Sequence, residues 1–188
     1  MGREIRRVPA NWKHPEVARF NYLKQREETI VQPLFDEPYI EAITAWIANH
    51  EQWERGEDPD QIQYPEYRTE FPHYAQYGGG PPDVAYYRPN WKPEEATWWQ
   101  VYETVSEGTP VTPPFETREE LIEYLVANGD FLDQQRRKEG NSVMGCAPWS
   151  RRNAEAFVMG SGWEPSMVID GGKVMSGVEA LSQENDHV

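Results

Sequence analysis

The chain has a single cysteine, Cys146, so no intramolecular disulfide can staple it. A reducing compartment suits such a sequence. Long apolar runs are missing as well, and none approaches the roughly 20 residues of a membrane-spanning helix. The opening Met1-Gly2-Arg3-Glu4-Ile5-Arg6-Arg7 is basic but has no apolar stretch behind it, so it does not read as a signal peptide. Gly2 stands where a myristoylation site would, yet Arg7 and Val8 do not complete that pattern. Histidine is scarce. His14, His50, His73 and His187 show no i, i+4 pair, no HExxH and no Cys/His ligand spacing, so no metal site is expected. Nucleotide and hydrolase signatures are absent too: no G-x-S-x-G, no Walker A, no G-x-G-x-x-G. Gly78-Gly79-Gly80 lacks the Lys and Ser/Thr of a phosphate loop, and no cofactor is expected.

Positive charge is also short. Eighteen Lys/Arg face 32 Asp/Glu, a formal net charge of −14. Neutralising a nucleic-acid backbone takes clustered Lys/Arg, so direct nucleic-acid binding is not expected. The imbalance is uneven. Residues 1–30 are net +3, residues 31–70 net −8, residues 71–135 net −8, and residues 136–188 net −1. An acidic middle either keeps the chain soluble or meets a basic partner surface, including one that normally holds nucleic acid.

What the chain has in abundance is aromatic area, with eight tryptophans among 188 residues. Such side chains dominate cores and interfaces. The length fits one domain or two small ones, with a core large enough to need no staples. A mean hydropathy of −0.84 points to long polar connections.

Along the chain, residues 1–16 read as an arm or edge strand closed by Pro9, and the polar residues 16–29 as helical. The clearest first helix covers 37–54, with Asp36 as N-cap and Gly56 as stop. Tyr39, Ile40, Ile43, Trp46, Ile47, His50 and Trp53 form its apolar face, with Trp46 and Trp53 assigned to the core. Residues 56–97 are broken by repeated Pro and Gly and crowded with rings, and read as an irregular insertion. Those rings either pack the loop onto its domain or form a contact surface of paratope-like composition. A short echo links Pro9-Ala10-Asn11-Trp12-Lys13-His14-Pro15-Glu16 to Pro89-Asn90-Trp91-Lys92-Pro93-Glu94.

Beyond it, 97–105 reads as a strand with Trp99, Val101 and Glu103 on one face. Thr117 and Glu120 form a capping box for a helix ended by Asn128-Gly129. Arg136-Arg137-Lys138 reads as a solvated turn. Ser150 caps a third helix, and Asp170-Gly171-Gly172 turns a hairpin over 166–175. Residues 182–188 read as a frayed tail.

No catalytic constellation stands out, and the chain is not read as an enzyme. Cys146, just before a helix start, has the context of a lowered thiol pKa but no base assigned to it, and reads as a small buried thiol. Glu103 and Glu107 suit acid/base pairing only as any carboxylates would in so acidic a chain.

The opening Met1–Pro9 with Asn11-Trp12 resembles the start of a set of uncharacterised phage and prophage proteins. Gln100–Val111, Ala154–Phe157, Gly162–Met167 and Ser176–Leu181 are similar to the same set. The resemblance implies phage origin and a bacterial host cytoplasm, and carries over no catalytic residue.

The expected fold is therefore a single α+β domain over 1–188: a small, mainly antiparallel sheet packed by two or three helices, with 56–97 inserted. The expected function is a phage accessory protein that binds a host protein with a basic surface. It would act as a stoichiometric inhibitor of an antiviral or nucleic-acid-handling complex, without membrane contact. Tyr74, Tyr77, Tyr86, Tyr87 and Trp91 are the expected contact residues, with Glu57, Asp58 and Asp60 as charged complement. A self-associating virion or assembly component, and a small ligand-sequestering protein or enzyme, are the alternatives.

Overall fold

The computed structural model describes residues 2–105, 108–140 and 148–180. Ten strands and eight α-helices are assigned among them. They run β1 (Arg3–Val8), β2 (Glu16–Asn21), β3 (Arg26–Val31), β4 (Phe35–Pro38), α1 (Tyr39–Arg55), α2 (Pro59–Gln63), α3 (Tyr67–Glu70) and α4 (Tyr74–Tyr77). A 3-10 turn at Val84–Tyr86 leads to β5 (Tyr87–Arg88), β6 (Trp98–Glu103), β7 (Thr109–Pro110), α5 (Arg118–Asn128) and α6 (Phe131–Lys138). The described residues finish with α7 (Arg151–Met159), β8 (Trp163–Glu164), β9 (Met167–Asp170), β10 (Lys173–Ser176) and α8 (Gly177–Ala180). The protein is α+β, with mainly antiparallel sheets packed by helices.

Contacts group the chain into two compact units, one formed by Met1–Pro33 with Trp91–Val188, the other by Leu34–Asn90. The second unit starts upstream of residue 56, where the sequence suggested an insertion, because α1 packs with the segment that follows it.

In the first unit the main sheet has the order β7-β6-β1-β8. The N-terminal strand is thus central, not an arm or an edge. It pairs antiparallel with β6 from Arg3↔Glu103 to Val8↔Trp98, and with β8 through Arg3↔Glu164 and Glu4↔Trp163. Val101 lies in the hydrophobic core with Leu121, Ile122 and Leu125 of α5 and Ala154, Phe157 and Val158 of α7. The α5 capping box forms as read: Thr117 accepts from Glu120 N at 3.2 Å and Glu120 accepts from Thr117 N at 3.1 Å. Ser150 caps α7 by accepting from Asn153 N at 3.1 Å. Arg136, Arg137 and Lys138 are not a turn; they occupy the last turn of α6, where cations oppose the negative end of the helix dipole.

The other face of the sheet is polar and still buried. Alternation puts Glu4, Arg6, Gln100 and Tyr102 there. Tyr102 donates to Gln100 Oε1 at 3.0 Å, and Gln100 Nε2 donates to Thr112 O at 2.8 Å. The Tyr102 hydroxyl also lies 3.4 Å from His14 Nδ1, while His14 Nε2 meets Gln32 O at 2.6 Å. Burial holds His14 below its ordinary pKa, with Arg6 adding to the effect and the Gln32 carbonyl opposing it. At the edge of the core, Arg3 Nε donates to Asp130 Oδ2 at 2.6 Å with both side chains buried. Asp130 caps α6 through Asp133 N at 2.8 Å, and Asp133 accepts from Trp149 Nε1 at 3.1 Å. Burial, then the Asp130 charge, push Asp133 up to about 6.

Residues 16–29 are not helical. They form most of the hairpin β2–β3, paired from Glu16↔Val31 to Asn21↔Arg26. Its turn is held by Asn21 Oδ1, which accepts from Leu23 N and Lys24 N at 3.1 Å each, and by Gln25 at φ +51°.

Candidate functional site

The second unit is built around α1. Its inward row, Tyr39, Ile43, Trp46, His50 and Trp53, follows the i, i+4, i+7 rhythm of one helix stripe. Asp36 is not the N-cap. It lies in β4, 3.1 Å from Arg88 Nε, and the helix starts after Pro38. The stop at Gly56 forms as read, with φ +69° and its N–H donating to Trp53 O at 2.9 Å. Parallel pairing of β4 with β5 ties the two ends of the unit together.

The segment after Gly56 is more regular than its prolines suggest. Three short helices, α2 to α4, follow, and Gln61 of α2 with the Tyr74 and Tyr77 rings of α4 lies against Trp53, which is 2% exposed. Tyr77 stacks on Trp53 with centroids 4.4 Å apart at 18°, and Tyr74 tilts against it at 6.1 Å. Trp53 Nε1 donates to Phe71 O at 3.0 Å. With its amide oxygen turned toward the indole, Gln61 also accepts from Trp53 Nε1 at 2.9 Å and donates to Trp53 O at 3.1 Å. A Cβ on Gly78 would lie 2.4 Å from Tyr74 Cζ, so a larger residue there displaces the end of the Tyr74 ring. Trp46 belongs to the rim more than to the core. It is half-buried, stacks on His50 at 5.1 Å, and donates from Nε1 to Gly79 O at 3.0 Å.

The eight expected contact residues therefore separate. Tyr74 and Tyr87 are half-buried in the unit, Tyr87 against Phe35 at 5.2 Å and Tyr39 at 5.9 Å, whereas Tyr77 lays its ring on Trp53 and stays 38% exposed. The Tyr77 hydroxyl donates to Asp60 Oδ2 at 2.5 Å, and that bond raises its pKa to about 12. Asp58 caps α2 by accepting from Asp60 N at 2.9 Å. Trp91 falls in the first unit, edge-on to Trp12 at 5.0 Å, so the two halves of the sequence echo meet there. Tyr86 is 44% exposed, and Glu57 is exposed with its carboxylate 2.8 Å from Arg55 Nε. Ile40 and Ile47, read from the sequence as part of one apolar face of α1, are exposed, and sequence reasoning missed Ile62 and Val84, also exposed on this unit. A signal for the first two was present. Ile40 and Ile47 fall one residue, about 100° of helix, off the row running through Tyr39 and Trp46.

Electrostatically the unit is one-sided. Residues 34–90 hold eleven Asp/Glu and three Arg, a net charge of −8. All three arginines have partners within the unit: Arg55 with Glu51 and Glu57, Arg88 with Asp36, and Arg68 with the Gly56 carbonyl. Glu54 Oε1 approaches His50 Nε2 at 3.8 Å and His73 Nδ1 at 3.5 Å. Among the described residues, no group of three or more His, Cys, Asp or Glu is placed to hold a metal ion. No helix among them is long and apolar enough to cross a membrane. Cys146, Glu107 and the 182–188 tail lie outside the described residues. Glu103 is 7% exposed in the main sheet.

By its architecture this is an α+β protein with an acidic, ring-packed second unit. No protein-family model, curated protein or solved structure matches the chain.

Proposed function

We propose that the chain is a protein-binding module whose 34–90 unit engages a basic protein surface. Its setting would be that of a phage-encoded accessory protein in a bacterial host cytoplasm, blocking an antiviral or nucleic-acid-handling complex by occupancy. The single observation that supports this is the uncompensated charge: net −8 on a unit whose three arginines are already engaged internally. Such a field attracts a basic groove and speeds association with it. Exposed Ile62, Val84 and Tyr86 supply apolar area among the carboxylates.

The test is capture from bacterial lysate on the immobilised full chain, followed by mass spectrometry and reconstitution with the purified partner. The reading expects one basic protein in stoichiometric amount, released by salt. Recovery of nucleic acid, or of a large homo-oligomer without a partner, would reject it.

A further inference from the structure

We infer that the outward face of α1 is a docking surface, and that its occupant is a Lys/Arg-rich amphipathic helix of a partner protein. The inference rests on the proposed function and names the place and the partner chemistry. Ile40 and Ile47 are 58% and 47% exposed, although the helix buries Trp53 on its other side. They stand seven residues apart, about 10.5 Å along the axis at 1.5 Å per residue. Thr44 lies between them, its hydroxyl donating to Ile40 O at 2.6 Å, so that its polarity is satisfied within the helix. The row Ile40, Thr44, Ile47, Glu51 is one face at i, i+4, i+7, i+11 spacing.

Single exposed aliphatic residues are ordinary. The frame around this pair is not. Glu41 lies to one side of the pair, Glu51 and Glu54 straddle its row at the C-terminal end, and the helix has no Lys or Arg before Arg55, which lies 3.6 Å from Glu51 and 2.8 Å from Glu57. Two apolar anchors a heptad apart match the anchor spacing of a second helix. The Glu41 carboxylate on one flank, with Glu51 and Glu54 at the C-terminal end of the row, matches Lys/Arg on a partner helix, as charged edges do in paired helices. A second copy of this chain fits poorly, because a unit of net −8 would meet another of net −8. Nucleic acid fails on the same sign.

The probe is a fluorescein-labelled, 18-residue synthetic Leu/Lys amphipathic helix, titrated with the full chain by anisotropy at low and physiological salt. All the substituted residues are exposed, and circular dichroism confirms that each variant is folded. The expected result is saturable binding that weakens about tenfold in I40S/I47S, the scale for losing two aliphatic anchors, and as much in E41Q/E51Q. The latter should also lose part of its salt dependence. Substitution of the more exposed Leu23 and Ile62, as L23S and I62S, should change affinity less than twofold. Absence of binding to the folded chain, equal losses from L23S and I40S/I47S, or unchanged binding in both α1 pairs overturns the α1 assignment. If binding instead collapses in E57Q/E66Q/E70Q alone, the acidic-unit reading stands and the α1 site falls. Concentration-dependent dimerisation abolished by I40S/I47S, or binding of a labelled oligonucleotide at this face, also overturns it.

Discussion

Replacing Trp53 with Ala should unfold the 34–90 unit or bring it to the edge of unfolding. The indole is 2% exposed, stacked on Tyr77 at 4.4 Å, and bonded through Nε1 to Phe71 O at 3.0 Å. Truncating a buried Trp costs about 3–5 kcal/mol. Within that, the ring pair is worth about 0.5–1.5 kcal/mol beyond its buried area, and the hydrogen bond about 1 kcal/mol. A unit of 57 residues has total stability on the order of 3–9 kcal/mol, from roughly 0.05–0.15 kcal/mol per residue. The loss is therefore comparable to the whole. Trp53→Phe keeps a ring against Tyr77 and removes the N–H donor, so its cost should be about 1–2 kcal/mol. Urea unfolding followed by circular dichroism gives the magnitudes, and segment-resolved hydrogen exchange gives the location. Protection should fall first in 39–55 and 67–77, ahead of β1, β6 and α5. A cost below about 1 kcal/mol for Trp53→Ala, or an equal loss of protection in all segments, would refute the reasoning.

Asp130→Ala should cost about 3–5 kcal/mol, because it leaves the buried Arg3 guanidinium without its 2.6 Å partner and removes the α6 cap; equilibrium unfolding measures this. Two buried groups should oppose each other in the pH dependence of stability. Asp133 is raised to about 6, so its contribution is complete below the ordinary Asp value and is lost as pH rises toward 6. His14 is lowered, so its contribution is present above the ordinary His value and is lost as pH falls below it. Unfolding titrations should show Asp133→Asn removing the first slope and His14→Gln the second; parallel curves would contradict both assignments. Gln25→Gly, at φ +51°, should stabilise the β2–β3 hairpin by up to about 1 kcal/mol, read as slower amide exchange over 16–31.

Where local chemistry decides an element, the sequence was readable. The Thr117/Glu120 box, the Ser150 cap, the Gly56 stop and the Gly171-Gly172 hairpin turn all form where their residues stand. Residues whose place depends on long-range pairing were not. Arg3–Val8 is polar enough to look like an edge, yet β6 and β8 flank it, and Arg3 is satisfied by buried Asp130 and Arg6 by half-buried Glu4. The hairpin over 16–31 lacks a Gly turn; Gln25 takes the positive φ and Asn21 closes the loop with its side chain. The 59–77 helices hide behind prolines that precede or start them, as Pro59 starts α2. The rings there were visible, but not the direction they face. Trp53 gathers Tyr74 and one face of Tyr77 against it, while Ile40 and Ile47 stay outside. Composition cannot separate those outcomes, whereas the 100° step between the two α1 rows can.

The most direct test is calorimetric titration of the full chain against its purified protein partner at 50 and 300 mM salt. The account predicts a one-to-one complex with a basic protein, weakened at least about tenfold by the added salt and weakened further when the 34–90 carboxylates are neutralised. An affinity indifferent to salt and to those carboxylates would contradict it.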